Sequence, residues 1–259
     1  MAWRHACENV RMNVWAMAGA AAIGGAAVGA WGAVNPRSQL FGRTLRFTGD
    51  SSTVALTFDD GPNPMATTPL LDLLDKHDAR ATFFLIGRHV RAFPALAQEI
   101  AARGHAIGNH TETHPSLVFL SRTRLRQELS KCAEAVRTAV GGGELRWTRP
   151  PFGFRGPQLN RVVRELGYSG IVMWSKWAWD WKPQPAQPVI HRLRRVSGGD
   201  IVLLHDGDHR VLRGDRRHTV AALEHWLPRW KDAGIRFVTL DAVGHTAPVN
   251  SPAVAREKM

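Results

Sequence analysis

The sequence predicts an α/β protein, a closed or nearly closed (β/α) barrel of about seven strands forming a single catalytic domain. Three observations carry this. Short apolar strands and amphipathic helices alternate from Ser51 to Leu240, which implies parallel strands with helices outside. Barrels of roughly 200–250 residues commonly form one core, which suits the 259-residue chain. Polar residues gather where the predicted strands stop, the end at which barrels of this class carry their chemistry.

In order, Val54–Thr57 reads as a strand and Thr68–His77 as a helix with apolar Leu70, Leu71 and Leu74. Ala81–Ile86 is a second strand, Pro94–Arg103 a helix ended by Gly104, and Ala106–Asn109 a third strand. Arg122–Val140 is a long amphipathic helix stopped by Gly141, Gly142 and Gly143. Leu145–Arg149 is a strand, Gln158–Leu166 a helix and Ser169–Trp174 a strand. Val189–Val196 is a helix, Asp200–His205 the clearest strand, Thr219–Ala233 a helix and Ile235–Leu240 the last strand.

Residues 12–34 carry no charged side chain and follow Arg4 and Arg11. Their length suits a bilayer crossing, and small residues near Ala27–Ala33 suit a cleavage site. The expected organisation is a signal peptide or N-terminal membrane anchor over 1–35 and a linker over 36–50. The barrel follows over 51–242, with a flexible tail over 243–259. Either form of leader places the rest of the chain outside the cytoplasm, membrane-anchored or secreted. The net charge of +12 is spread along the chain and not massed in a Lys/Arg block. With no nucleic-acid motif beside it, it reads as surface character and argues against nucleic acid as partner. Cys7 and Cys132 are too few and too far apart for a disulfide framework.

Thr57-Phe58-Asp59-Asp60-Gly61-Pro62 puts two adjacent carboxylates at a strand end. They serve either as cap and solvated turn, or as one metal ligand beside one proton acceptor. His110-Thr111-Glu112-Thr113-His114 places two imidazoles four apart, which one helical turn would bring to a single face. Two His with one Asp is the composition of a catalytic metal site with open positions. His205 closes an apolar strand and is a candidate general acid. Arg149-Pro150-Pro151-Phe152-Gly153 is a rigid loop. Its Phe152 N–H can serve as an oxyanion donor and its Arg149 can pair with a carboxylate. Trp174, Trp177, Trp179 and Trp181 surround Asp180 and suit either core packing or sugar faces.

Taken in order, Thr-Phe-Asp-Asp-Gly-Pro, Asn-His-Thr-x-x-His-Pro, Arg-Pro-Pro-Phe-Gly, Asp-Trp and Leu-x-His resemble the five motifs of the polysaccharide deacetylases, carbohydrate esterase family 4, with its nodulation-factor deacetylase-like domain. The resemblance spans about Thr53 to Leu240. It implies a distorted (β/α) barrel holding a divalent metal, most often zinc, with cobalt or nickel as alternatives. It implies Asp60, His110 and His114 as ligands, Asp59 as base, Arg149 orienting Asp59, Phe152 N–H at the oxyanion and His205 as acid. Trp181 and Leu203 would line the acetyl pocket, and Asp180 is placed with them on the substrate side. The implied reaction is hydrolysis of acetyl groups on N-acetylglucosamine-type cell-envelope polysaccharide or oligosaccharide. An O-acetyl (xylan-type) esterase, a hydrolase of non-sugar amides and a non-catalytic carbohydrate-binding member are the alternatives. One departure stands out. Trp177 occupies the position, three before the Asp-Trp pair, where the family has an Asp supporting the acidic His. Support for His205 is then expected from Asp180 or Asp206, or else a less tuned His205 and slower turnover.

Overall fold

The computed structural model describes residues 24–243. Residues 24–34 are helical (α1). The elements that follow are β1 (Thr44–Leu45), β2 (Thr53–Gly61), α2 (Thr67–Lys76), β3 (Thr82–Leu85), α3 (Gly87–Ala92), α4 (Pro94–Ala102) and β4 (Ala106–Asn109). Then come α5 (Arg122–Val140), β5 (Trp147–Thr148), a 3-10 turn (Pro151–Gly153), α6 (Leu159–Glu165), β6 (Gly170–Val172) and β7 (Lys176–Trp177). The described chain ends with α7 (Ala186–Leu193), β8 (Ile201–His205), α8 (Arg217–Asp232), β9 (Arg236–Phe237) and α9 (Leu240–Val243).

The strands run in the order β1-β6-β5-β4-β3-β2-β8-β7, every pairing is parallel, and β9 adds to the start of β2. One stretch curls this sheet into a distorted barrel. It begins as β6 against β5 and β1, donates from Ser175 N–H to the Ile201 carbonyl, and continues as β7 against β8. The α/β barrel expected from the alternation is therefore the observed fold.

Period two along β2 sorts its side chains into two cores. Val54, Leu56 and Phe58 join the outer layer under α2 and α8, with Leu70, Leu74, Leu223 and Leu227. Ala55 joins the barrel interior with Phe84, Trp147, Val172 and Ile201. Every residue of β2 is buried, as expected of a central parallel strand covered on both sides.

Two expectations change, and one helix is added. Residues 36–50 are no free linker: β1 lies within them and pairs with β6. The last predicted strand is only Arg236–Phe237, because Leu240 already opens α9. The segment 87–92 is a helix, α3, packed on α5. No helix among the described residues is long and apolar enough to cross a membrane. Most of the expected leader, Cys7 and nearly all of the expected tail lie outside the described residues.

Candidate active site

At the carboxyl ends of the strands lies a cavity of about 570 Å³, lined among others by Asp59, Asp60, His110, His114, Phe152, Trp181, Leu203 and His205. Its floor is set by β2. Asp59 lies two residues beyond Thr57 and four beyond Ala55, on the interior face. In a regular strand Asp60 would then point outward, into the helices. The β2–β3 register shifts between Asp59 and Gly61 and Asp60 takes φ 73°, which turns its carboxylate back to the mouth. A Cβ on Gly207 would meet the Asp60 carbonyl at 2.0 Å, so only glycine lets the β8 end approach this bulge.

His110 and His114 meet without a helical turn. Residues 110–117 form an irregular loop, and Thr111 (φ 68°) and His114 (φ 61°) are both left-handed. The loop is fixed by its own polar groups. Thr111 N–H donates to Asn109 Oδ1 at 2.9 Å, His114 N–H to Thr111 Oγ1 at 3.0 Å, and Thr113 N–H to Glu128 at 2.9 Å. Among the described residues six non-glycines have positive φ, and five of them (Asp60, Thr111, His114, Phe152 and Trp179) belong to the site or its rim. Each such conformation costs on the order of 1–3 kcal/mol, and such strain gathers where side-chain direction matters more than stability.

The two His Nε2 atoms converge on one oxygen. Asp60 Oδ1 lies 3.4 Å from His110 and 3.1 Å from His114. Asp60 Oδ1 is buried and accepts no hydrogen bond, and one donor atom from each of these three residues lies within 4.8 Å of the others. A buried carboxylate oxygen facing two imidazole nitrogens fits a divalent cation. His110 Nδ1 donates to the Arg149 carbonyl at 2.8 Å, which leaves Nε2 as the ligating atom. Burial opposes ionisation of Asp60, yet His110, His114 and His209 overcome it and hold the carboxyl well below the usual range. Burial likewise opposes charge on His110, but Asp59 and Asp60 outweigh it and raise its pKa. At His114 burial dominates and the pKa is lowered.

Asp59 is held apart from that trio. Its Oδ1 accepts from Arg149 Nη1 at 2.7 Å, and its Oδ2 is 3.7 Å from His110 Nε2. Arg149 is fully buried beneath the cavity, donating also to Thr57 Oγ1 at 2.8 Å and lying 4.2 Å over the Phe84 ring. Phe152 is 48% exposed at the rim, and its ring meets His114 edge-on at 4.6 Å.

Asp180 needs correcting. It is wholly buried, not on the substrate side, and accepts from His205 Nδ1 and from His205 N–H, both at 2.9 Å. Thr219 Oγ1 completes its shell at 2.8 Å. Burial alone would lower the His205 pKa, but the Asp180 charge and hydrogen bond carry it up to about 9. The open question raised by Trp177 is thus answered by Asp180. Asp206 turns away, taking a hydrogen bond from Thr67, and burial raises it to about 7. Trp177 stacks at 4.3 Å on Trp179 and at 5.1 Å on Trp181. Trp181 and Leu203 do line the cavity.

Sequence reasoning missed His209. It stacks on His114 at 4.3 Å, and its Nδ1 lies 3.7 Å from Asp60 Oδ2. The only signal was a second histidine four residues beyond His205.

Fold and site together define a barrel hydrolase with an Asp-His-His centre suited to a divalent ion. A profile described as polysaccharide deacetylase matches residues 47–171. Over 209 residues the chain is 34% identical to a chitooligosaccharide deacetylase of Azorhizobium caulinodans, covering 78% of this chain and 99% of that one. Over 193 residues it is 37% identical to a peptidoglycan-N-acetylglucosamine deacetylase of Bacillus cereus, covering 72% and 85%. A solved peptidoglycan N-acetylglucosamine deacetylase superposes with TM-score 0.69 at 35% identity, covering 76% and 90%. A Bacillus anthracis protein described as a pseudoenzyme of carbohydrate esterase family 4 superposes with TM-score 0.67 at 27% identity, covering 75% and 66%. The chain belongs to the polysaccharide deacetylase family, carbohydrate esterase family 4.

Proposed function

We propose that this protein hydrolyses the acetamide of N-acetylglucosamine-type units in a cell-envelope polysaccharide or oligosaccharide. One observation carries the reading. Asp59 paired with Arg149, the Asp60-His110-His114 trio, and His205 paired with Asp180 all meet at one cavity. That a relative is described as a pseudoenzyme makes these residues, and not membership, the argument for catalysis.

Asp60, His110 and His114 would hold the metal, zinc by preference for this N/O donor set, with cobalt or nickel as alternatives. When bound, the ion supplies Lewis acidity toward the acyl oxygen and acidifies a water. Asp59 accepts the proton of the attacking water, and Arg149 fixes the direction of its free oxygen. The Phe152 N–H is assigned to the developing oxyanion. His205 gives its Nε2 proton to the leaving amine, while Asp180 holds Nδ1–H and so sets the tautomer. Leu203 and Trp181 wall the place of the acetyl methyl. The chain is read as extracytoplasmic, anchored or secreted through the uncharged stretch 12–34.

Acetate release from chitin oligomers, peptidoglycan and acetylated xylan, with metal content measured in parallel, tests the assignment. Release from the N-acetylated substrates is expected. Release from xylan alone would make the protein an O-acetyl esterase, and bound metal with no release from any of them would make it a binding protein.

The His205–Asp180 pair predicts a pH effect. His205 must be protonated to act as acid, so activity falls as pH rises through its pKa. Asp180→Asn removes the charge that raises that pKa. The alkaline limb of the kcat/KM profile is expected to move about one to three pH units toward acid. An unmoved limb would reject His205 as the acid.

A further inference from the structure

The segment before the barrel reaches the active site. Val34 and Pro36 line the same cavity as Asp59 and His205. Their path is fixed by Arg155, which follows directly on the Phe152-Gly153-Phe154 rim. Arg155 N–H donates to the Ala33 carbonyl at 2.9 Å. Its guanidinium donates to the Asn35 carbonyl at 3.0 Å and the Ser38 carbonyl at 2.7 Å. Arg155 and Ser38 are each 1% exposed, and Ala33 5%. A buried guanidinium spanning two main-chain carbonyls is a clamp: it adds a charged donor to the Asn35 carbonyl, which also accepts from Ser38 N–H at 3.0 Å, and it supplies a donor to the Ser38 carbonyl. Val34, between the clamped residues, is nevertheless 50% exposed. The strap is therefore held tightly by its backbone while an apolar side chain is offered to the cavity.

We infer that residues 33–38 form one wall of the substrate cleft and grip a sugar ring next to the one deacetylated, so that Val34 and Pro36 set preference for longer oligosaccharides. The cavity is of a size that buries ligands of more than one ring, and apolar rims suit the C–H faces of sugars. The inference rests on the carbohydrate reading above. It also requires that any processing of the leader leave Ala33 through Ser38 in place.

The test compares wild type, Val34→Ser and Arg155→Met on chitin hexamer and on monomeric N-acetylglucosamine, with metal content and Tm recorded. Val34→Ser leaves every main-chain bond of the clamp intact, so it remains informative if Arg155→Met fails to fold. Both variants are expected to raise KM for the hexamer roughly tenfold, the ratio given by about 1.4 kcal/mol of lost contact. KM for the monomer and metal content should stay near wild type. Equal changes on both substrates, or an unchanged hexamer KM in Val34→Ser, would overturn the inference. Hexamer binding is also read by tryptophan fluorescence, since Trp174, Trp177 and Trp181 line the cavity. Should wild type release no acetate, the catalytic reading fails, and a tenfold weaker fluorescence titration in Val34→Ser still supports the strap. An equal titration overturns it.

Discussion

Asp59→Asn is expected to bind metal as wild type does and to lose about 10²- to 10⁴-fold in kcat, the range for removing a positioned general base. The geometry separates the two losses. Asp59 gives Oδ1 to Arg149 at 2.7 Å and keeps Oδ2 on the cavity side, 3.7 Å from His110. The proposed metal trio uses Asp60. An asparagine preserves the shape and still accepts from Arg149 through its carbonyl, but it cannot take a proton from water. The buried guanidinium also loses its counter-charge, so a lower Tm should accompany the kinetic loss. Metal content by elemental analysis, together with kcat, decides the matter. Near-wild-type turnover in the metal-loaded variant would end the assignment of Asp59 as base.

Why Asp59 and Asp60 take different parts was only half legible in the sequence. The strand, the Gly-Pro stop and the adjacent carboxylates could be read directly. The bulge that turns Asp60 back to the interior could not, because it depends on pairing with β3 across the sheet. The His110–His114 spacing was read as a helical turn joining two imidazoles, and the imidazoles do meet, through a different geometry. A loop with two left-handed residues does what a helical turn was expected to do. The long helices and the apolar strands β2, β3, β4 and β8 were visible because each buries a whole face. The strands β1 and β7, two residues each, carry no periodicity to detect, yet they form the two ends of the curled sheet. Asp180 was misplaced for a related reason. Its neighbours in sequence are Trp179 and the cavity-lining Trp181, while its partners, His205 and Thr219, lie 25 and 39 residues away. The strap at 33–38 was hidden by composition: an Ala/Gly stretch reads as leader, and its clamp, Arg155, is more than a hundred residues distant.

The second large effect concerns the metal itself. His110→Ala is expected to abolish stoichiometric binding of zinc or cobalt, and with it turnover. His110 is the most constrained of the three proposed ligands. It is 2% exposed, its Nδ1 is fixed on the Arg149 carbonyl, and its Nε2 faces both Asp59 and Asp60. Among the described residues no other imidazole is placed to replace it, since His209 approaches the far oxygen of Asp60. Linkage gives a second readout that needs no substrate. A ligand at a hundred times its Kd stabilises the folded state by about 2.7 kcal/mol. For a domain of this size that is roughly 5–10 °C in Tm. Wild type should show this rise on addition of metal and reverse it with chelator. His110→Ala should show neither, while its metal-free Tm reports separately on whether the fold survives. An equal metal-induced rise in both proteins would place the ion elsewhere and remove the foundation of the hydrolytic reading.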